Sequence, residues 1–327
     1  MNFLKIEDEM KYFQRMFVLR KEIENFLYKE GYMNIEPSIF EEYDEFTSVN
    51  SRIDRSSTVK ILESNSDILI LSPDITTGII NKFMPRWDYD LILKIFYYGK
   101  TYKHNGTGIK ENREMGVEII GDKSPNIDQD TLMTAERIIS RYSENYLFEI
   151  GNSKFLKGIM MACSFNKEDY DNILNLLYLK NKQELSDYLS GLKYREPMST
   201  LLNILDLEGT YEEINGKLEG LYLNDMMKTS LEELKIIDEH MKNITDKIIY
   251  DLSMVSELSY YDGIIFRGYI QGSNTEIIKG GRYDSFTEQF GIKIPAIGFT
   301  VELDELLKAV YKEGWWWVWQ LQYQRED

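Results

Sequence analysis

Hydrophobic and polar positions change rhythm three times along the chain. Near the start, Met10, Phe13, Phe17, Ile23, Phe26 and Leu27 recur at helical spacing, and Gly31 is placed to stop the helix they define. Pro37 breaks any helix around it and extends the residue before it. Residues 59–71, VKILESNSDILIL, predict two short strands around a polar turn. SPDITTGIINKF then reads as a turn feeding a helix, with Asp74 or Thr76 near its cap. LILKIFYYGKTYKH and GVEIIG read as strands on either side of a glycine-containing loop at 105–110.

From about 123 to 250 the pattern is helical nearly throughout. Leu231, Leu234, Ile237, Met241, Ile244 and Ile248 step by three and four, and Thr229 with Glu232 makes a capping-box signature. Beyond Tyr250, YYDGIIFRGYIQ and TEIIKGGRYDSF predict strands joined by a short turn, and IPAIGFTVELDELLKAVYKEG predicts a strand running into a helix. The chain thus divides into a strand-rich unit, 1–122 with 251–313, a helical insertion at 123–250, and a tail at 314–327 holding four of the five tryptophans.

Composition narrows the function. Hydrophobic residues make up 43% of 327, enough for a sizeable core and too many for a disordered chain. The single cysteine, Cys163, cannot form an intrachain disulfide and fits a reducing, cytoplasmic setting. Two histidines and one cysteine leave little for a metal site, and no metal or cofactor is expected. A formal charge of −17 disfavours broad binding to a phosphate backbone, which rests on basic patches. MNFLKIEDEM is too acidic for a signal or transit peptide, and no apolar run is long enough to span a membrane. The chain lacks GxxxxGK[ST], GxSxG, HExxH and CxxC. His104 could act as a general base, but a lone histidine is more often structural. The glycine pair of KGGRYD would let backbone approach a ligand closely, although hairpin turns use such pairs more often.

Taken in order, SPDITTG, YGKTYKHNGTGIKENREMGVEIIG, SYYDGIIFRGYI, KGGRYD and IPAIGFTVELDEL resemble histidyl-tRNA synthetase and its paralogues over 1–122 and 251–313. The resemblance implies an α+β fold, a class II aminoacyl-tRNA synthetase-like antiparallel sheet flanked by helices, with Pro37 at the proline of the first dimer-forming motif. It also implies an amino-acid pocket: Asp74, Thr76 and Glu114 stand where the family holds the α-amino group, and Glu118, Tyr260 and Tyr261 where it meets the imidazole. The family's carboxylate-binding arginine falls on Ser256, so Arg282 becomes the candidate replacement.

The nucleotide side departs from the family. Lys103 stands at the motif 2 arginine, giving a point charge for a bidentate fork, and Asn105 replaces an acid. Glu305 stands at the motif 3 arginine of a GLERL-like pattern. Two unit charges at 4 Å interact by about 4 kcal/mol at an effective dielectric of 20, so this inversion turns attraction for a triphosphate into repulsion. The family's anticodon-binding domain would follow motif 3, where this sequence has only its tail, so no tRNA is expected. Such a core is similar to the regulatory subunits of short-form ATP phosphoribosyltransferase. That resemblance implies a non-catalytic partner of a separate catalytic subunit in a hetero-octamer, dimerising with itself, required for activity and for feedback by histidine in histidine biosynthesis. The alternatives are an amino-acid-binding module with another partner, or a truncated histidyl-tRNA synthetase.

Overall fold

A computed structural model describes residues 5–50, 55–62, 67–88, 90–106, 108–255 and 260–312. Ser256 and the tryptophan-rich tail lie outside them. α1 (Ile6–Lys29) opens on Glu7, Asp8 and Glu9, which complement the helix dipole. It stops where Gly31 takes φ +85°, and the Tyr32 N–H returns to the Leu27 carbonyl at 3.0 Å. The stripe expected on this helix divides. Ile23, Phe26 and Leu27 are buried with Met16 and Leu19, whereas Met10, Phe13 and Phe17 are exposed. Helical spacing does not say which of two adjoining faces meets the core.

β1 (Met33–Ile35) and β2 (Phe40–Glu42) flank Pro37, and α2 (Tyr43–Val49) follows. β3 (Lys60–Leu62) and β4 (Ile68–Leu71) are the two short strands expected, and they pair antiparallel in a small sheet of order β2-β4-β3. Asp74 caps α3 (Ile75–Phe83), accepting the Thr76 N–H at 3.1 Å. β5 (Leu93–His104) and β6 (Ile109–Ile120) form a long antiparallel hairpin. Next come α4 (Ile127–Ile139), β7 (Tyr146–Asn152), α5 (Ser153–Cys163), α6 (Lys167–Tyr178), α7 (Lys182–Ser190), α8 (Met198–Asn203), β8 (Glu208–Gly209), α9 (Tyr211–Lys217), α10 (Asp225–Met241) and β9 (Ile248–Asp251). The chain returns through β10 (Ile264–Ile270), β11 (Ile278–Arg282), α11 (Asp284–Glu288), β12 (Ala296–Glu302) and α12 (Leu303–Lys312).

The large sheet runs β1-β5-β6-β12-β11-β10-β7-β9-β8, antiparallel except at β1–β5 and β7–β9. It is flanked by helices, the α+β arrangement expected. The helical region is less uniform than its pattern suggests, because β7 pairs with β10 along its whole length and α4 joins the core beneath the sheet. The run of helices from α5 to α10 begins at Ser153 and packs into the same core as the sheet. A short strand between helices carries no periodicity of its own; its partner, more than a hundred residues away, defines it. The cap of α10 also differs. The helix starts four residues before Thr229, and Asn224 accepts the Met227 N–H at 3.0 Å.

Strand alternation sends successive side chains to opposite faces. One face of the large sheet packs with α1, α4 and α12 into the main core. On the other, Ile75, Ile79, Tyr260, Tyr283 and Phe286 make a second, smaller cluster that covers only part of the surface. The uncovered part is a cavity.

Candidate functional site

The floor of the cavity is cleared by glycine. Gly281 on β11 and Gly298 on β12 are register partners, and Glu118 on β6 is next in the same row. A Cβ at Gly281 would come within 2.8 Å of the Tyr261 ring, and one at Gly298 would run into the Glu118 carboxylate. The missing side chains let Tyr261 and Glu118 lie across the sheet.

Above that floor the start of α3 delivers two polar side chains. Thr76 donates its hydroxyl to Glu118 Oε1 at 2.6 Å, and Tyr283 donates to Glu118 Oε2 at 2.5 Å. Asp74 receives the Thr77 hydroxyl at 2.6 Å and the Tyr260 hydroxyl at 3.4 Å. Tyr260 stacks on Phe286, with ring centroids 4.6 Å apart, which fixes its hydroxyl toward Asp74. Glu114, two turns of the pleat from Glu118, is 6% exposed, and its nearest hydroxyl is that of Tyr97 at 3.5 Å.

These carboxyl groups are buried with little to neutralise them. Burial pushes Glu114 up to about 8, and the neighbouring Glu302 adds to the rise. Burial lifts Glu118 to about 7, although the hydrogen bonds from Thr76 and Tyr283 pull the other way. Asp74 is raised by burial too. Burial pushes the hydroxyls of Tyr260, Tyr261 and Tyr283 far above the ordinary tyrosine value, so they remain neutral donors. A cationic N–H group entering here would replace protons on the acids with its own charge.

Cations lie along the other side. Lys279 on β11 pairs with Glu302 on β12 at 2.7 Å. Burial works against its charge, but Glu302 and Glu114 raise its pKa well above the usual lysine range. Arg267 on β10 and Lys103 at the end of β5 complete the cations of the lining. Five acids, Asp74, Glu114, Glu118, Glu276 and Glu302, share the lining with these three, so carboxyl groups outnumber cations, although Glu114 and Glu118 hold protons up to neutral pH.

The structure thus brings Asp74, Thr76, Glu114, Glu118, Tyr260, Tyr261 and Lys103 to one cavity. Three expected residues stand elsewhere. Arg282 forms ion pairs with Asp128 at 2.6 Å and Asp284 at 3.1 Å, on the face of β11 away from the cavity. Its side chain is already spent, so it cannot replace an arginine at 256. Asn105 belongs to the hairpin turn, where its side-chain oxygen accepts the Gly108 N–H at 3.1 Å. Glu305 pairs with Lys308 at 2.8 Å on α12 and does not line the cavity. His104 accepts the Gly106 N–H at 3.1 Å through Nδ1, a turn contact.

Lys279, Arg267, Tyr283, Glu276 and Glu302 are among the lining residues that the sequence reading did not assign to the site. Alternation was the available signal: Lys279 and Gly281 share one face of β11, and Arg282 takes the other. Glu302 stands at the glycine of the GLERL-like pattern, so the acid facing the cavity comes from that position and not from Glu305.

A mainly antiparallel sheet bearing a cavity lined by carboxyls and tyrosines under a capped helix is the arrangement of class II synthetase-like proteins. The family model for histidyl-tRNA synthetase matches residues 9–306. An ATP phosphoribosyltransferase regulatory subunit of Clostridium acetobutylicum is 30% identical over 313 residues, covering 89% of this chain and 75% of that protein. A crystal structure from Bacillus halodurans C, described as an ATP phosphoribosyltransferase regulatory subunit/histidyl-tRNA synthetase, is 25% identical, with a TM-score of 0.81 over 92% of this chain and 80% of that one. The ATP phosphoribosyl transferase (HisG:HisZ) complex from Thermotoga maritima contains a chain of the same fold, 18% identical, with a TM-score of 0.69 over 88% of this chain and 97% of that one. The chain belongs to the histidyl-tRNA synthetase family, on its branch of ATP phosphoribosyltransferase regulatory subunits.

Proposed function

We propose that this chain is a regulatory subunit without catalysis of its own, that it assembles with the catalytic subunit of a short-form ATP phosphoribosyltransferase, and that histidine binds the cavity as feedback effector. What supports this reading is an amino-acid side that keeps its hydroxyls and carboxyls, without the family's arginine at 256, beside a nucleotide side whose lysine is held by an acid. Thr76, Glu118 and Tyr283 make one connected set of hydrogen bonds, while Glu302 holds the lysine nearest the sheet centre. A carboxylate already bound to that lysine leaves less cation for phosphate oxygens.

The relatives' names support the partnership, and the Thermotoga maritima chain of the same fold occurs within an ATP phosphoribosyl transferase complex. Histidine would favour one arrangement of a hetero-octamer, built on dimers of this chain, and binding would be coupled reciprocally to the catalytic subunit's ligands. Typical couplings of about 1–3 kcal/mol give roughly 5–150-fold control. No tRNA takes part. Mixing the purified chain with a short catalytic subunit tests the partnership: the two should co-elute, and phosphoribosyl transfer should rise on mixing. Separate elution with unchanged activity would contradict it.

A further inference from the structure

We propose that Arg267 is the carboxylate receptor of the cavity, so that the ligand must be an amino acid whose carboxylate is free; this rests on reading the cavity as an amino-acid site. The register carries the idea. Glu149, Arg267, Lys279 and Thr300 occupy successive strands of one row, and Gly116 on β6 continues it. Three strand spacings of about 4.8 Å put β10 about 14 Å from β6. The arginine reaches in from one side and the buried acids Glu114 and Glu118 from the other.

Of the three cations in the lining, two are poorly suited. Lys279 is held by Glu302 at 2.7 Å, and Lys103 is an exposed residue at the edge of the hairpin. Arg267 differs. One of its terminal nitrogens donates to the Val255 carbonyl at 2.7 Å, which anchors the guanidinium from behind. Tyr269 hydrogen-bonds to it, Glu149 forms a long ion pair with it at 3.9 Å, and Glu276 of the lining adds a second negative charge nearby. A planar guanidinium has five N–H donors in a fork that matches a carboxylate. Among the described residues no carboxylate holds it at hydrogen-bond distance, so the fork can take a ligand carboxylate while the Val255 carbonyl fixes its position. A ligand with a cationic N–H end for Glu114 and Glu118 and a carboxylate for Arg267 spans the two ends. An amine, an ester or a nucleotide phosphate does not match both.

Calorimetry on the full chain, with L-histidine and L-histidine methyl ester as probes, tests the assignment. The unaltered chain should bind histidine at least about tenfold more tightly than the ester, the span expected for a hydrogen bond to a charged group. Arg267→Gln should bring that ratio close to one, chiefly by weakening histidine. Arg267→Lys, which keeps the charge and loses the fork, should fall between. Glu149→Gln should keep the full preference. Equal binding of both probes by the unaltered chain would overturn the role of Arg267 and leave the amino-acid cavity standing. A full preference that survives in a folded Arg267→Gln variant would overturn it as well. Failure to bind either probe would overturn the cavity reading and this assignment with it.

Discussion

Glu118 meets its hydrogen-bonding needs with two hydroxyls and no cation, and Glu114 has less still. Their raised values make the protein's stability depend on pH near neutrality. A carboxyl whose pKa is higher when folded holds its proton after the unfolded chain has released it. Stability is then full below the ordinary value of 4.5 and falls as pH climbs through about 7 for Glu118 and about 8 for Glu114. Thermal unfolding should therefore give a lower midpoint at pH 8.5 than at pH 6, and Glu114→Gln should flatten that slope. An unchanged slope in the variant would show that Glu114 does not titrate in this range. At this scale the sequence was most legible where a family pattern marked a position, as for Asp74, Thr76, Glu114 and Glu118. It was least legible where a face had to be chosen. Arg282 and Lys279 are three residues apart on one strand, and only the parity of the strand separates the cavity cation from the one paired with Asp128.

Elements were readable wherever their own residues dictate them. The β5–β6 hairpin, the two short strands at 60–71 and the Asp74 cap follow from alternation and local hydrogen bonding. α10 shows the limit. Thr229 and Glu232 have the right spacing for a capping box, but the helical face continues one turn earlier, burying Met227. The cap moved with it to Asn224. Asn224→Ala should cost about 1 kcal/mol in denaturant unfolding, the usual loss for a cap. Thr229→Ala should be neutral or slightly stabilising, because Thr229 is an exposed interior position of the helix. The reverse ranking would restore the cap to Thr229. β7 was illegible for a different reason: it is a strand because β10 pairs with it, and no window of sequence contains both.

For the molecule as a whole, the sheet carries two different surfaces. One is a continuous core that joins the sheet to the helices of 153–241. The other is the partly covered face that leaves the cavity open beside α3. A tie between an exposed lysine and a buried acid reinforces the first: Lys180 donates to Asp251, whose other oxygen takes the Ser253 hydroxyl at 2.7 Å. Among the described residues no helix is long and apolar enough to cross a membrane. The exposed Met10, Phe13 and Phe17 on α1 did not follow from the sequence, since a stripe at helical spacing reads the same whether it meets a core or solvent. Regulation, in this account, depends on the cavity and not on the core. The most direct test is phosphoribosyl transfer by the reconstituted complex, titrated with L-histidine, with the subunit unaltered or carrying Glu118→Gln. The account predicts inhibition of the unaltered complex and an assembled, active Glu118→Gln complex that histidine no longer inhibits; equal inhibition of both at the same histidine concentration would contradict it.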